Sequence, residues 1–236
     1  MEVHHPHHVT HKKRWTEYLL EFFMLFLAVF LGFIAENIRE HAVERTREKE
    51  FIHSIISDMQ SDIDQSGSVL IKLQEKISGL DSLMTVLASP GIYHNSNNAY
   101  RLWNKTLGFA DFVYNDGTLQ QLKNSGGLRL IRNRKVADSI MKYDRTVRNY
   151  YIQADLMNNA ITDQHIYGQL FDFVAFDKNE DSPVPLTAQG KNILSAAYAD
   201  RKIWKYGLSG LRRRLQEVHE EGQKVFAFIK DEYNIE

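Results

Sequence analysis

Hydrophobic residues occur along the chain in two patterns, one continuous and one periodic. The continuous pattern lies near the N terminus, where residues 22–35 include no polar side chain. The wider stretch 18–38 has Glu21, Glu36 and Asn37 as its strongly polar members. A helix of roughly 21 residues is about 31 Å long, which matches a bilayer hydrocarbon core of about 30 Å. The continuous pattern therefore predicts a transmembrane helix over residues 15–38.

A cleaved signal peptide or a buried helix of a soluble core would also be apolar over such a length. Cleavage requires a small side chain at the −3 position. A cut after any small residue of the run would place a phenylalanine there. Trp15 and Tyr18 stand at the leading edge of the run, where amphipathic rings favour the headgroup layer. We therefore expect a retained anchor, with a soluble core helix as the alternative.

Basic residues flank the span on both sides and decide the expected orientation. Three of them precede it and four follow it, so their count alone is balanced: Lys12, Lys13 and Arg14 before; Arg39, Arg45, Arg47 and Lys49 after. The short basic tail abuts the span directly, as in a signal anchor. We therefore predict a single-pass protein of the inner membrane with a cytoplasmic N terminus and an extracytoplasmic C-terminal domain.

The periodic pattern begins at Ile52, from which apolar residues recur at alternating steps of four and three. Of its eleven members only Ser66 is polar. The seam comprises Ile52, Ile56, Met59, Ile63, Ser66, Leu70, Leu73, Ile77, Leu80, Met84 and Leu87. This spacing predicts a packed helix that continues from the span and ends at Pro90-Gly91.

Two more seams of the same spacing follow. One predicts a middle helix over residues 133–174 and includes Val136, Ile140, Tyr143, Val147, Tyr150, Ala154, Met157 and Ile161. The other follows Thr187, a predicted N-cap, and comprises Leu194, Ala197, Arg201, Trp204, Leu208, Leu211, Leu215, Val218, Gly222, Val225 and Ile229. Between the first two seams we predict a short helix over residues 100–114 and a helical turn over 117–127, closed by Gly126 and Gly127.

Together these elements predict an all-α protein in which one transmembrane helix continues into an elongated antiparallel bundle with coiled-coil-like seams. The expected organisation is a His-rich basic tail (1–14), the transmembrane helix (15–38), a stalk with the first bundle helix (39–90) and the rest of the bundle (91–236). A partner chain could also fill such seams, but three long stripes in one chain favour self-packing.

Two stretches carry a resemblance to a known family: "HHPHHVTHKKRWTEYLLEFFMLFLAVFLGFIAENIREH" and "TLQQLKNSGGLRLIRNRKVADSIMKYD". With them the chain resembles an uncharacterised family of His-rich single-pass membrane proteins of Bacteroidota, over most of its length. The resemblance implies a native His-rich N terminus, one span and a helical domain. It implies no activity, substrate or catalytic residue.

Charge and composition narrow the function classes. Lys plus Arg number 29 and Asp plus Glu 30, so the net charge of −1 argues against a generic nucleic-acid binder. Cysteine is absent, which excludes disulfides and thiol chemistry. Glu50 and His53 form one Glu-x-x-His pair, whereas di-iron bundles need two such pairs and further glutamates. We therefore predict no cofactor and no enzymatic activity.

Three groups of residues are candidate sites. Neutral imidazoles of the N-terminal tail could bind Zn²⁺, Ni²⁺ or Cu²⁺, although a tail that simply lies on lipid headgroups is favoured: His4, His5, His7, His8 and His11. A basic turn could bind an anion, or be a solvated helix start: Arg129, Arg132, Arg134 and Lys135. Small residues on one face of the span could let two spans approach: Ala28, Gly32 and Ala35.

From these features we predict a non-enzymatic, membrane-anchored helical scaffold or interaction module, whose partners are the lipid bilayer and a protein partner or a second copy. A long helix that leaves the bilayer could also couple the bundle to the membrane. Two alternatives stay open. One is a sensor that binds a small ligand near the aromatic segment "YGQLFDFVAF", and the other is metal handling through the His tail.

Overall fold

The computed structural model describes residues 14–108, 110–160, 164–178 and 182–235. These residues are 86% helical and include no strand, which confirms the all-α prediction. Their seven α-helices are α1 (Trp15–Leu87), α2 (Asn97–Thr106), α3 (Gly117–Asn124), α4 (Arg134–Ala160), α5 (Gln164–Leu170), α6 (Phe173–Lys178) and α7 (Ala188–Tyr233). Short 3₁₀ helices cover Pro90–Tyr93 and Gly127–Leu130. The chain divides into two compact units, Met1–Glu50 and Phe51–Glu236.

The described part of the first unit is the N-terminal part of α1. Its most apolar 18-residue window has a mean hydropathy of 2.3, and none of that window is buried by the rest of the chain. Phe22, Phe26 and Phe30 follow one another at single-turn spacing, with ring centroids 6.5 and 5.9 Å apart. Within the described residues, this is the one helix long and apolar enough to cross a membrane.

The second unit is built on three long helical segments: the C-terminal part of α1, α4 and α7. Ser66 and Asp81 of α1 contact His219 and Lys205 of α7, so the two helices run in opposite directions. α7 also runs opposite to α4, because Lys142 pairs with Glu221 and Asn133 bonds to Glu232. α1 and α4 are therefore parallel to each other, and α7 is antiparallel to both.

The predicted seams lie in the interior of this unit. Every described member of the α1, α4 and α7 seams is buried or partly buried. α1 also buries a second row at seven-residue intervals, of which Ile55, Val69 and Leu83 are apolar. A helix that buries two adjacent rows contacts neighbours on both sides. α1 is accordingly covered by α7 on one side, and on the other by α4 and the chain that leads into α3.

The ends of the long helices follow the local sequence. α1 ends at Leu87, just before Pro90, as the Pro-Gly pair predicts. Thr187 is the N-cap of α7, as predicted, and its hydroxyl accepts a hydrogen bond of 2.7 Å from the amide of Gly190. A Cβ at Gly190 would lie 2.5 Å from the carbonyl oxygen of Leu170, so only glycine lets α7 start this close to the end of α5.

Two helix predictions were wrong in their limits. The middle helix does not reach residue 174, because α4 ends at Ala160 and the non-helical Phe171 and Asp172 separate α5 from α6. The seam residue Ile161 lies outside the described residues. The helix predicted over 100–114 is in fact α2, which ends at Thr106. Gly108 then adopts a φ of +72°, and residues 110–116 form no helix. Gly126 adopts a left-handed φ of +66° after α3, whereas Gly127 begins the second 3₁₀ helix.

We expect Leu215→Ala to lower the free energy of unfolding of the bundle by about 2–5 kcal/mol, because it removes apolar contacts and leaves a cavity. Leu215 is fully buried in α7, while Ile203 on the same helix is 70% exposed. The matched control Ile203→Ala should change stability by less than about 0.5 kcal/mol. Chemical unfolding followed by far-UV circular dichroism measures both. Equal effects of the two substitutions would contradict the packing described here.

Candidate functional site

The exposed apolar surface of α1 is the first candidate site. Large apolar side chains surround the helix over residues 15–38 and stand 37–81% exposed. Ala28, Gly32 and Ala35 are exposed on one face, and a Cβ at Gly32 would have no neighbour within 4 Å. At 100° per residue, Phe26 and Phe30 lie on the opposite side. The small face is thus open to a second helix, and its use as an interface stays a prediction.

The second candidate site is a groove of about 950 Å³ on the outer surface of α1. Its floor is formed by side chains of α1, both polar ones such as Ser61, Asp64 and Ser68 and the apolar Ile56 and Val69. One wall is formed by Asp111 and Val113, and the other by Phe226 and Lys230 of α7.

A buried carboxylate, Asp62, lies beside this groove in the middle of the bundle. Asp62 is 1% exposed. Its Oδ1 accepts hydrogen bonds from the main-chain and side-chain amides of Asn115, at 2.9 and 2.8 Å. Its Oδ2 accepts a hydrogen bond of 3.0 Å from the hydroxyl of Tyr143 on α4. Burial raises the pKa of Asp62, although the bonds from Asn115 and Tyr143 act in the opposite direction.

A second carboxylate, Asp144, is adjacent to Tyr143 and is also buried. Lys123 donates to its Oδ2 at 2.6 Å, and Arg148 donates to both oxygens at 3.1 Å. The hydroxyl of Tyr114 donates to Oδ1 at 3.4 Å. Burial alone would raise the pKa of Asp144, but the hydrogen bonds from Arg148 and Lys123 outweigh it and hold the pKa below its usual value. Asp62 and Asp144 therefore have pKa values displaced in opposite directions.

The two carboxylates and their partners fix the chain between α2 and α3. The amide of Tyr114 donates to the hydroxyl of Tyr151, which in turn donates to the carbonyl of Phe112, both at 2.9 Å. The amide of Val113 donates to the side chain of Gln65 on α1. Lys76 of α1 donates to the carbonyl of Leu107, just ahead of this stretch. The cost of burying these main-chain groups is therefore offset by their hydrogen bonds to side chains.

The predicted anion-binding residues lie in one turn and its continuation, and all four are exposed: Arg129, Arg132, Arg134 and Lys135. The side-chain oxygen of Asn133 accepts hydrogen bonds from the amides of Lys135 and Val136, at 3.1 and 3.4 Å. The side chain of Asn133 thus already binds the main-chain amides with which a helix N terminus would bind an anion. This geometry favours a capped, solvated helix start.

The aromatic segment proposed for a small ligand is packed against α2. Tyr100 stacks on Phe176 with ring centroids 4.0 Å apart, and Tyr167 meets Phe173 edge-on at 4.7 Å. Trp103 is 1% exposed, with the guanidinium of Arg201 on α7 lying 4.4 Å from its ring centroid. These rings fill the space between α2, α5 and α6 with one another, as a hydrophobic core does.

The residues that the structure describes include some of the histidines, but not those of the N-terminal tail. The predicted metal ligands His4, His5, His7, His8 and His11 lie outside the described residues. Within the described residues, no group of three or more His, Asp or Glu side chains is placed to bind a metal ion. His219 joins two helices: its Nδ1 lies 2.9 Å from Ser66 Oγ, and its Nε2 lies 3.0 Å from Gln223. Ser66, the polar member of the α1 seam, is thereby hydrogen-bonded.

The sequence contains a signal for the Asp62 cluster that the apolar seams alone do not show. Positions 55, 62, 69, 76 and 83 of α1 form a row at heptad spacing. Its apolar members are buried, and its two charged members, Asp62 and Lys76, both bind main-chain atoms of the chain between α2 and α3. A charged residue that interrupts a buried row points to a polar contact across that row.

No family model, curated protein or solved structure matches this chain.

We expect Asp144→Asn to destabilise the bundle at pH 7 by about 1.5–3 kcal/mol, because the bonds from Lys123 and Arg148 lose their charged acceptor. A lowered folded-state pKa gives stability that is present above the unfolded pKa of about 3.9 and is lost as pH falls through the folded-state pKa. The stability difference between wild type and Asp144→Asn should therefore shrink as pH falls below about 4.

Thermal unfolding in detergent from pH 7 to pH 3 measures this difference. The control Asp138→Asn replaces an exposed aspartate of the same helix and should match wild type at every pH. A difference between wild type and Asp144→Asn that does not depend on pH would contradict the assigned role of Asp144.

Proposed function

We propose that this protein is a non-enzymatic, membrane-anchored helical interaction module. The observation that carries the proposal is the exposed apolar surface of α1, where fifteen large apolar side chains over residues 15–38 are left uncovered. At about 1.5 kcal/mol each, leaving them in water would cost roughly 20 kcal/mol, more than the 5–15 kcal/mol that stabilises a typical domain. Something other than water must cover them, and a lipid bilayer matches their length and all-round distribution.

The non-enzymatic part of the proposal is supported by the use of polar groups in the bundle. The buried carboxylates Asp62 and Asp144 each accept hydrogen bonds from neighbouring side chains or main chain. Such bonds position the chain between α2 and α3, which is a structural task. Membership of the Bacteroidota family is also a proposal, supported by the two stretches of sequence that carry the resemblance.

We propose that the bundle offers its groove, and the span its small face, to a protein partner or a second copy. The helix α1 includes both the apolar segment and the floor of the groove. A contact made by the bundle would therefore act on the same helix that lies in the membrane, which is a physical basis for coupling the two.

We expect the double substitution Phe26→Arg and Phe30→Arg to move the protein from the membrane to the soluble or aggregated fraction. Each arginine near the centre of a span opposes insertion by about 2.5–3.5 kcal/mol. Flotation of membranes on a density gradient, followed by immunoblotting, measures the distribution. The control Asn37→Arg places one arginine at the end of the span and should leave the protein in the floating fraction.

We propose that the bundle lies on the extracytoplasmic side of the inner membrane, since a short basic tail directly precedes the span. The chain has no cysteine, so single cysteines report on topology without background. We expect Ser68→Cys, at an exposed position of α1, to react with a membrane-impermeant maleimide in intact spheroplasts. Thr10→Cys should react only after lysis. The reverse labelling pattern would place the bundle in the cytoplasm.

A further inference from the structure

Residues 110–116, here called the strap, connect to α3 and lie across α1 and α4 without regular structure. Among the described residues, the main chain of 110–115 makes no backbone–backbone hydrogen bond. Its main-chain bonds go instead to the side chains of Asp62, Gln65 and Tyr151. Detaching the strap would therefore break no helix, and segments of this kind open at lower free energy than the helices around them.

The strap is also fixed by two aromatic side chains that alternate along it. Phe112 is 2% exposed and meets the ring of Tyr150 edge-on at 5.8 Å. Tyr114 meets the ring of Tyr143 edge-on at 5.9 Å. Between them Val113 points outward and is 61% exposed. The strap therefore has an inner aromatic face, and its outer face forms one wall of the groove through Asp111 and Val113.

We propose that the strap is a releasable wall of the groove, held closed by the polar side chains of α1 and controlled by the charge state of Asp62. Closing the strap buries Asp62 beneath Asn115, and opening it returns the carboxylate to water. The proton affinity of Asp62 and the position of the strap are thereby linked.

The charged and titratable groups around Asp62 come from every neighbouring element. They are Asp58 of α1; Tyr114 and Asp116 at the strap; Lys123 of α3; Tyr143, Asp144, Arg148 and Tyr151 of α4; and His219 of α7, one turn along α1 at Ser66. Asp58 adds negative charge, which disfavours ionised Asp62. Lys123 and Arg148 are bound to Asp144, so the positive charge nearby is already paired.

The sign of the linkage follows from burial. With the strap closed, burial raises the pKa of Asp62 above its ordinary value of 3.8, whereas an open strap would let it return toward that value. The closed strap therefore binds the proton more tightly. It is held most firmly in acid, and it loosens as pH rises through the raised pKa and Asp62 becomes ionised.

Hydrogen exchange on the full-length protein in detergent, read by mass spectrometry, tests the proposal. At neutral pH the amides of Val113 and Asn115 should exchange much faster than those of the buried part of α1. In Asp62→Asn the side-chain oxygen still accepts from Asn115 but the buried charge is gone. Strap exchange should therefore be several-fold slower than in wild type at neutral pH, and the two proteins should converge in acid, where Asp62 of the wild type is protonated.

Asp64→Asn is the matched control, because Asp64 is an exposed aspartate of the same helix, whose side chain accepts a hydrogen bond from Gln60. It should leave strap exchange unchanged. If Asp62→Asn fails to fold, the pH dependence of exchange in the wild type tests the proposal by itself. After correction for the intrinsic exchange rate, the protection of the strap should increase in acid relative to the protection of α3. Protection that falls in acid, a strap that exchanges only with the whole bundle, or faster exchange in Asp62→Asn would each overturn the proposal.

Discussion

The structure depends on how the apolar surface of a single helix is covered. Over residues 51–87, α1 carries its apolar side chains in rows that face α4, α7 and the chain leading into α3. Over residues 15–38 the apolar side chains occupy all sides, and the chain covers none of the most apolar window. A helix that is apolar all round needs an apolar environment, whereas a striped one needs only a packed neighbour. The change from one pattern to the other separates the membrane anchor we propose from the bundle.

Inside the bundle, the apolar seams supply most of the stabilisation. A few polar contacts fix how the helices are placed against one another. Apolar packing alone tolerates sliding of one helix along another, whereas hydrogen bonds between buried groups fix one arrangement. Ser66 with His219 joins α1 to α7, and Asp62 with Tyr143 joins α1 to α4. Burying Asp62 has an energetic cost, and its compensation through Asn115 is what ties the strap to the helices.

Helices were predictable where apolar residues recurred at steps of three and four over many turns, because this spacing places them on one face of a helix. The seams of α1 and α7 were therefore assigned correctly, including the N-cap at Thr187. Residues 110–114 of the strap were predicted as helix, since Phe112 and Tyr114 continue the apolar character of α2. Their two-residue alternation suits an extended chain, and Gly108 with its positive φ marks the break. For the polar network, the spacing shows only that Asp62 and Lys76 interrupt a buried row of α1. It does not show their partners, because these lie on other elements and sequence spacing does not reveal contacts between elements.

The central claim is that residues 15–38 of α1 are embedded in lipid, and extraction of isolated membranes with sodium carbonate at high pH tests it most directly. This treatment strips proteins held by surface charge or by protein contacts but leaves integral proteins in the bilayer. Full-length protein is expected to stay in the pellet after carbonate and to be released only by detergent. Recovery of folded protein in the carbonate supernatant would contradict the claim, and would require the apolar surface of residues 15–38 to be covered by another protein.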